Sequence, residues 1–279
     1  MITDSVPPST TGRPVAIPRA TLELLALIDF TTSGRRLLDM LTALHSPENG
    51  SVAQTQRELA ASLGAQSPAV TRGFRELAQA GAAWAIEGGR GNYQLNPEIV
   101  STPREAVASE RELSAIAPAR FNAQRRLRYD IAKGDALVGG PFVPPIAFKE
   151  PVLLPREVFE LLALADLSPT GRRVLDVVLA RHAPADGTVE ISQREMVSAL
   201  GASYPSVNRG VRELGGLGLV WELKGGGGGL YQLHPVLTDG AVSSPVMNCP
   251  VIPEVGPDAS SARRRERYAV QTGSLRRTA

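Results

Sequence analysis

Cysteine and histidine are scarce in this sequence, and their scarcity excludes two kinds of chemistry. The 279 residues contain one cysteine, Cys249, which excludes an intramolecular disulfide. One thiol and three histidines (His45, His182 and His234) leave no zinc-type cluster. Neither a Ser/His/Asp or Cys/His set nor a nucleotide-binding loop is recognisable. We therefore expect no metal, no cofactor and no enzymatic activity.

Long hydrophobic runs are also missing. No apolar stretch approaches the roughly 18 residues that a membrane span needs, and residues 1–11 lack the charged-then-apolar pattern of a secretory signal. The sequence therefore predicts a cytoplasmic protein with no membrane partner. Its 43% hydrophobic content and its length are sufficient for two ordinary domains.

Lysine is rare, so arginine carries nearly all of the basic charge. Lysine occurs only at positions 133, 149 and 224, and the net charge is only +2. The net charge alone does not indicate nucleic acid, but arginine donates bidentately to phosphates and to guanine edges. A GC-rich genome explains the same enrichment equally well, so the distribution of the arginines has to decide.

What the sequence does contain is an internal repeat with a constant offset of 137 positions. The offset carries Leu24–Leu27 onto Leu161–Leu164, and the Gly-Arg-Arg run at 34–36 onto 171–173. It also superposes the Arg-Glu-Leu run at 75–77 on 212–214 and Trp84 on Trp221. The register slips by one residue in a glycine-rich turn, after which Tyr-Gln-Leu at 93–95 meets 231–233. The chain is therefore predicted to contain two copies of one domain.

Each copy contains local sequence signals that predict the same order of helices and strands. Two leucine-rich helices come first, the second with an N-cap at Thr31 or Ser168. A third helix begins with a capping box, Thr55-x-x-Glu58 or Ser192-x-x-Glu195, and ends at Leu-Gly. A fourth helix (68–80 or 205–216) follows after a tight turn, and then come two short strands around a glycine-rich tip. This order predicts a mainly α protein with small β-wings (α+β), made of two tandem winged helix-turn-helix domains.

The repeat also sets the predicted boundaries. They are a flexible N-terminal arm (1–18), a first winged-helix domain with an Arg-rich trailing helix (19–137), a Pro/Gly linker (138–155), a second winged-helix domain (156–240) and a C-terminal tail that is Pro-rich and then Arg-rich (241–279). The Arg-rich segments 120–128 and 263–267 have two interpretations. They are either arms that contact phosphates or flanking helices that close a homodimer.

Two motifs carry a family resemblance. Val70-x-Arg72-Gly73-x-Arg75-Glu76-Leu77, followed by a two-stranded wing, resembles the scaffold of MarR-type transcriptional regulators. The Tyr-x-Leu-Asn-Pro ending at 93–97 resembles small plasmid replication proteins of the RepL type. The likeness covers residues 33–97 and 170–235, and it implies double-stranded DNA binding in transcription regulation or in plasmid or mobile-element replication and maintenance. It also implies a bacterial protein associated with the nucleoid or with a plasmid. Those families usually carry one such domain per chain, and the second copy has His234 where the first has Asn96.

A helix-turn-helix places the start of its second helix in the major groove, which assigns candidate DNA-binding residues in both copies. The candidates at the start of the groove-facing helices are Gln66, Ser67 and Thr71, and Ser203, Tyr204, Ser206 and Asn208. The arginines retained in both copies are Arg72, Arg75, Arg209 and Arg212. The candidates at the preceding helix N-terminus, where amides favour a phosphate, are Gln56, Arg57, Gln193 and Arg194. The wing candidates are Arg90, Asn92 and Lys224.

Each assignment has a simpler alternative. The two copies differ most at the start of the groove-facing helix, which predicts two different half-sites, but surface positions also drift after any duplication. The Arg-Glu pairs at 75–76 and 212–213 are also typical of a solvated helix face. His45 and His182 end a helix, where a cation would favour the helix dipole. The alternative function is a winged-helix protein-interaction module that does not read DNA directly.

Overall fold

The computed structural model describes residues 13–87, 91–102, 113, 146–223, 229–238, 249–252 and 262–278. The two copies have the same element order, and the fold combines helices with small antiparallel sheets. The first repeat contains β1 (Val15–Ile17), α1 (Arg19–Leu27), α2 (Thr32–Leu44), β2 (Ser51–Ala53), α3 (Gln56–Leu63), α4 (Ser67–Gln79), β3 (Ala83–Ala85), β4 (Asn92–Leu95) and α5 (Pro97–Val100).

The second repeat follows the same plan and ends in an additional helix. Its elements are β5 (Val152–Leu154), α6 (Arg156–Leu164), α7 (Pro169–Arg181), β6 (Thr188–Glu190), α8 (Gln193–Leu200), α9 (Tyr204–Gly216), β7 (Val220–Glu222), β8 (Leu230–Leu233), a 3-10 turn (Pro235–Thr238) and α10 (Ala262–Thr278). Each repeat has a three-stranded antiparallel sheet in which the last strand lies in the middle, in the orders β2-β4-β3 and β6-β8-β7.

The predicted helix boundaries follow from caps that the structure contains. The Thr31 and Ser168 hydroxyls accept hydrogen bonds from the amides of Gly34 and Gly171, which begins α2 and α7. Both capping boxes are formed at the start of α3 and α8. The predictions of these helices are therefore confirmed to within one or two residues.

The two repeats share one hydrophobic core. Helix α2 packs against α6, α1 packs against α7, and β1 pairs with β5 in a two-stranded antiparallel sheet. The buried apolar side chains of both repeats form a single cluster that runs from Val15 to Tyr268. The chain is thus two copies of one unit that bury their first two helices against each other.

This packing corrects two predicted boundaries. Strand β1 lies inside the segment predicted as a flexible arm (1–18), and β5 lies inside the predicted linker (138–155). Each strand satisfies its backbone groups by pairing with the other, and Ile17 and Leu154 are almost fully buried. Both short segments are therefore part of the interface between the repeats.

The C-terminal segment also differs from the expectation of an Arg-rich tail. Residues 262–278 form α10, which packs against α6. The Tyr268 ring is buried, and the Gln271 amide donates to the Glu157 carbonyl (3.1 Å). Arg264 is buried and lies 3.8 Å from the Asp166 carboxylate, so this arginine of the predicted 263–267 arm has a structural contact within the chain. The predicted counterpart at 120–128 lies outside the described residues.

The histidines that end α2 and α7 are not the cations expected there. His45 and His182 are both buried, and burial lowers the pKa of each imidazole to about 4. Their Nδ1 atoms lie 2.6 Å from the Thr42 carbonyl and 2.7 Å from the Leu179 carbonyl. They close the helices as neutral rings, because the interface between the repeats removes their water.

Candidate nucleic-acid interface

Helices α3 and α4 are joined by a three-residue turn whose geometry depends on glycine. Gly64 has φ 57°, a left-handed conformation that ends α3, and its amide bonds back to the Ala60 and Ala61 carbonyls. Helix α4 then starts at Ser67 with Pro68 in its first turn, and it buries Val70 and Leu77 on its inner face. The opposite face of α4, starting at Gln66 and Ser67, is exposed.

The second repeat builds the same corner with different surface residues. Gly201 has φ 53° and ends α8, and α9 starts at Tyr204 with a proline in its first turn. Tyr204 is 50% exposed, where the first repeat has a serine. The Ser203 and Ser206 hydroxyls lie 2.8 Å apart at the exposed start of α9. The framework is therefore shared, and the exposed tips of α4 and α9 differ.

A glutamate fixes each of these helices to the helix that forms the core interface. Glu76 on α4 accepts hydrogen bonds from the Thr31 amide and hydroxyl, both at 2.7 Å. Glu213 on α9 accepts from the Ser168 amide (3.1 Å) and hydroxyl (2.7 Å). These carboxylates cap the N-termini of α2 and α7, where the helix dipole favours negative charge. The alternative in which the Arg-Glu pairs are only a solvated face is therefore wrong for the glutamates.

The Glu76 and Glu213 contacts are functional features that the sequence analysis missed. The available signal was the pairing of the N-cap hydroxyls Thr31 and Ser168 with a glutamate retained 45 residues later in both copies. A second part of the signal was Gly34 and its equivalent Gly171. A Cβ at Gly34 would lie 1.9 Å from the Glu76 carboxylate, so the glutamate needs glycine there.

The hairpin after α4 is attached to the start of α3. Gly91, with φ 85°, lies so close to Thr55 that a Cβ would be 3.2 Å from its backbone, and the Gln54 amide donates to the Gly91 carbonyl (2.8 Å). The equivalent bond in the second repeat joins the Ile191 amide to the Gly229 carbonyl (2.8 Å). Asn92 is exposed at the start of β4. The predicted wing residues Arg90 and Lys224 lie outside the described residues.

Some of the predicted site residues are engaged inside the domain. The Thr71 hydroxyl donates to the Gln56 side-chain oxygen (3.0 Å) and to the Ser67 carbonyl (3.1 Å), which ties the start of α3 to α4. The residues of the predicted site that are only partly exposed are Gln56, Thr71, Gln193, Ser206 and Asn208. Gln56 and Thr71 are thus placed to orient the first helix pair.

The exposed cations of the two helix pairs form matching sets of three. The six arginines, all exposed, are Arg57, Arg72 and Arg75 in the first repeat and Arg194, Arg209 and Arg212 in the second. Within the described part of the chain, none of the six forms an ion pair. The neighbouring Glu58, Glu76, Glu195 and Glu213 are each hydrogen-bonded to a cap hydroxyl and its amide.

A second group of arginines has the opposite environment. Six others are at most 7% exposed and contact carbonyls or carboxylates inside the protein; they are Arg19, Arg35, Arg156, Arg172, Arg173 and Arg264. Arginine enrichment in this chain therefore has two separate structural settings. Five of the six buried arginines contact the other repeat, and Arg264 contacts Asp166 in its own half of the chain. The exposed set leaves fixed positive charge on the helix pairs.

Comparison with protein-family models, with curated proteins and with solved structures found no match to this chain. Among the described residues, no helix is long and apolar enough to cross a membrane. The same residues contain no group of three or more histidine, cysteine or acidic side chains that could hold a metal ion.

Proposed function

We propose that each repeat is a winged helix-turn-helix unit, with α4 and α9 as its groove-facing helices. Three features support this assignment: the left-handed glycine between the paired helices, the three-stranded sheet, and the hairpin fixed to the start of α3 through Gly91. The unit belongs to a class of domain that presents an exposed helix to a partner. The resemblance to MarR-type and RepL-type proteins stays a prediction.

Within that class, we propose that the chain binds double-stranded DNA with both repeats. The observation that carries this proposal is the set of six exposed arginines repeated on the two helix pairs, none of which forms an ion pair with another described residue. A cation that has no protein partner is available to a phosphate, and three such cations per repeat give each unit several phosphate contacts. The differing tips, Gln66 and Ser67 against Ser203 and Tyr204, would then give the two units different base preferences.

The test is a salt titration of binding to a duplex DNA library of random sequence, measured by fluorescence anisotropy. We expect the slope of log affinity against log salt to fall by about 2 when Arg72→Ala is combined with Arg209→Ala, since each phosphate contact contributes about 0.9. The matched control is Lys149→Ala, which removes an exposed cation outside the helix pairs and should leave the slope nearly unchanged.

Two results would contradict the proposal. One is the absence of any DNA binding at low salt, and the other is binding that is indifferent to both arginines. An intact partner interaction with no DNA affinity would favour the protein-interaction module instead. Whether the DNA site serves transcription or replication of a plasmid or other mobile element, and whether flanking helices add a homodimer, remain predictions.

A further inference from the structure

The strand pairing between the repeats has the symmetry of a two-fold axis. Strand β1 pairs with β5 in the register Val15 with Leu154, Ala16 with Leu153, and Ile17 with Val152. Because the repeat offset is 137, Ala16 and Leu153 are equivalent residues that face each other. The contact of Val15 with Leu154 is therefore repeated by the equivalent contact of Val152 with Ile17. Such reciprocal contact defines an isologous interface, which here occurs within one chain.

A buried ion cluster in the interface obeys the same symmetry. The Arg35 guanidinium donates to the Asp176 carboxylate (2.8 Å), and the equivalent Arg172 donates to Asp39 (2.7 Å). All four side chains are at most 8% exposed. Each aspartate also lies within 3.5 Å of the arginine one turn earlier on its own helix. Two charges from each repeat therefore complete one neutral cluster.

A third pair of contacts has the same two-fold symmetry and lies at the C-terminal ends of α2 and α7. The Arg19 Nη1 atom donates to the Ala180 and His182 carbonyls, both at 2.9 Å. Its equivalent Arg156 donates to the carbonyls of Ala43 and His45, both at 2.7 Å. Each arginine satisfies the last carbonyls of a helix in the other repeat. Three independent sets of contacts thus agree on one two-fold relation.

The glutamate contacts extend the two-fold relation to the exposed helices α4 and α9. Glu76 fixes α4 to the start of α2, and Glu213 fixes α9 to the start of α7 in the same way. Since α2 and α7 are themselves related by the two-fold axis, α4 and α9 are related by it too. The two helices are presented as they would be in a symmetric dimer, although they have different tips.

We infer that the DNA target of this chain is a pair of inverted half-sites with different base sequences. This inference rests on the proposed DNA-binding function. The strands of a duplex run in opposite directions, so two units related by a two-fold axis read the sequence in opposite directions. Half-sites in the same orientation would require units related by a translation along the DNA. The unequal tips of α4 and α9 make the two arms of the site different in sequence.

The test begins with selection of bound duplexes from a library with 40 random base pairs, using the full chain. The selected site is then compared with a duplex in which one half-site is reversed in place, with the same bases and spacing. A third duplex carries an unrelated sequence in that half. We expect the reversed half-site to lower affinity about tenfold or more, to the level of the unrelated sequence, because each lost base contact costs a substantial factor.

Two variants assign the arms. Asn208→Ala should relax the base preference in one half-site, and Gln66→Ala should relax it in the other.

Because unequal half-sites do not reveal their relative orientation, the selection is repeated with a variant in which the start of α4 has the residues of α9. Its substitutions are Gln66→Ser, Ser67→Tyr, Ala69→Ser and Thr71→Asn. We expect this variant to select a palindrome. A direct repeat selected by this variant, a reversed half-site that binds as tightly as the selected one, or a site with a single half overturns the inference. In each of those results the proposed DNA binding stands. If no DNA is retained even at low salt, the proposed function fails and the inference fails with it.

Discussion

The Arg-Asp cluster between the repeats is the feature whose perturbation tests the fold most directly. Replacing Asp176 with leucine leaves Arg35 and Arg172 facing the single carboxylate of Asp39 in a fully buried site. Removal of one member of a buried ion cluster typically costs about 3–5 kcal/mol, because the remaining charge has neither water nor a partner. We expect Asp176→Leu to lower the free energy of unfolding by that amount, and Arg35→Met to do the same.

The double variant should behave differently. With Arg35→Met and Asp176→Leu together, the Arg172–Asp39 pair remains neutral and keeps both of its hydrogen bonds (2.7 and 3.1 Å). Burial raises the pKa of Asp176 and lowers the pKa of Arg35, so each charged form is already penalised in this site. Replacement of the pair by apolar side chains should therefore recover most of the loss and lie within about 1–2 kcal/mol of the unmodified protein.

Urea unfolding followed by circular dichroism and by tryptophan fluorescence measures these differences. Trp84 and Trp221 report on separate repeats, and coincident transitions are expected because the core is shared. The control is Lys149→Ala, which removes an exposed charge outside the cluster and should cost at most about 0.5 kcal/mol. The reasoning is refuted if Asp176→Leu lowers the free energy of unfolding by less than about 1 kcal/mol, as the control is expected to do. It is also refuted if the double variant loses as much stability as the two single variants together.

Two further predictions concern the same framework. Since burial lowers the pKa of His45 and His182 from 6.5 to about 4, their stabilising effect is complete above pH 6.5 and is lost as pH falls toward 4. From pH 7 to 5 we expect a loss of about 2 kcal/mol per histidine, so urea unfolding of His45→Gln should depend less on pH, and an unchanged dependence would contradict this. Glu76→Ala removes both bonds to Thr31 and should destabilise by about 1–2 kcal/mol. The control Glu76→Gln should retain part of that stability, and equal losses in the two variants would argue against a specific cap.

The sequence predicts most of the local structure because the signals for it are local. The capping hydroxyls, the glycines after α3 and α8, and the element order within each repeat require only neighbouring residues. The interface between the repeats could not be predicted in the same way. Strands β1 and β5 have three residues each, too few for a pattern of alternation, and each needs a partner that lies 137 residues away. A short segment of this kind is indistinguishable in sequence from an arm or a linker.

The buried arginines show a second limit of sequence interpretation. Arg35 and Asp39 have the spacing of an intrahelical ion pair, which is typical of a solvated face. Only the symmetric approach of Arg172 and Asp176 makes the site neutral enough to be buried. The same residue type thus has opposite settings at Arg35 and Arg72, and composition cannot separate them. The separation requires knowing which helices pack together.

Covalent linkage explains how the framework can stay symmetric while the exposed tips diverge. In a homodimer, any change at the start of the groove-facing helix appears in both units, so the two halves of the site remain equal. In this chain Ser67 and Tyr204 are equivalent positions that vary independently. The reciprocal contacts of Arg19 and Arg156 keep the two units in register, and because they lie within one molecule they do not weaken on dilution. Symmetry is therefore required in the buried interface that orients the units, and it is not required at the surface that would meet DNA.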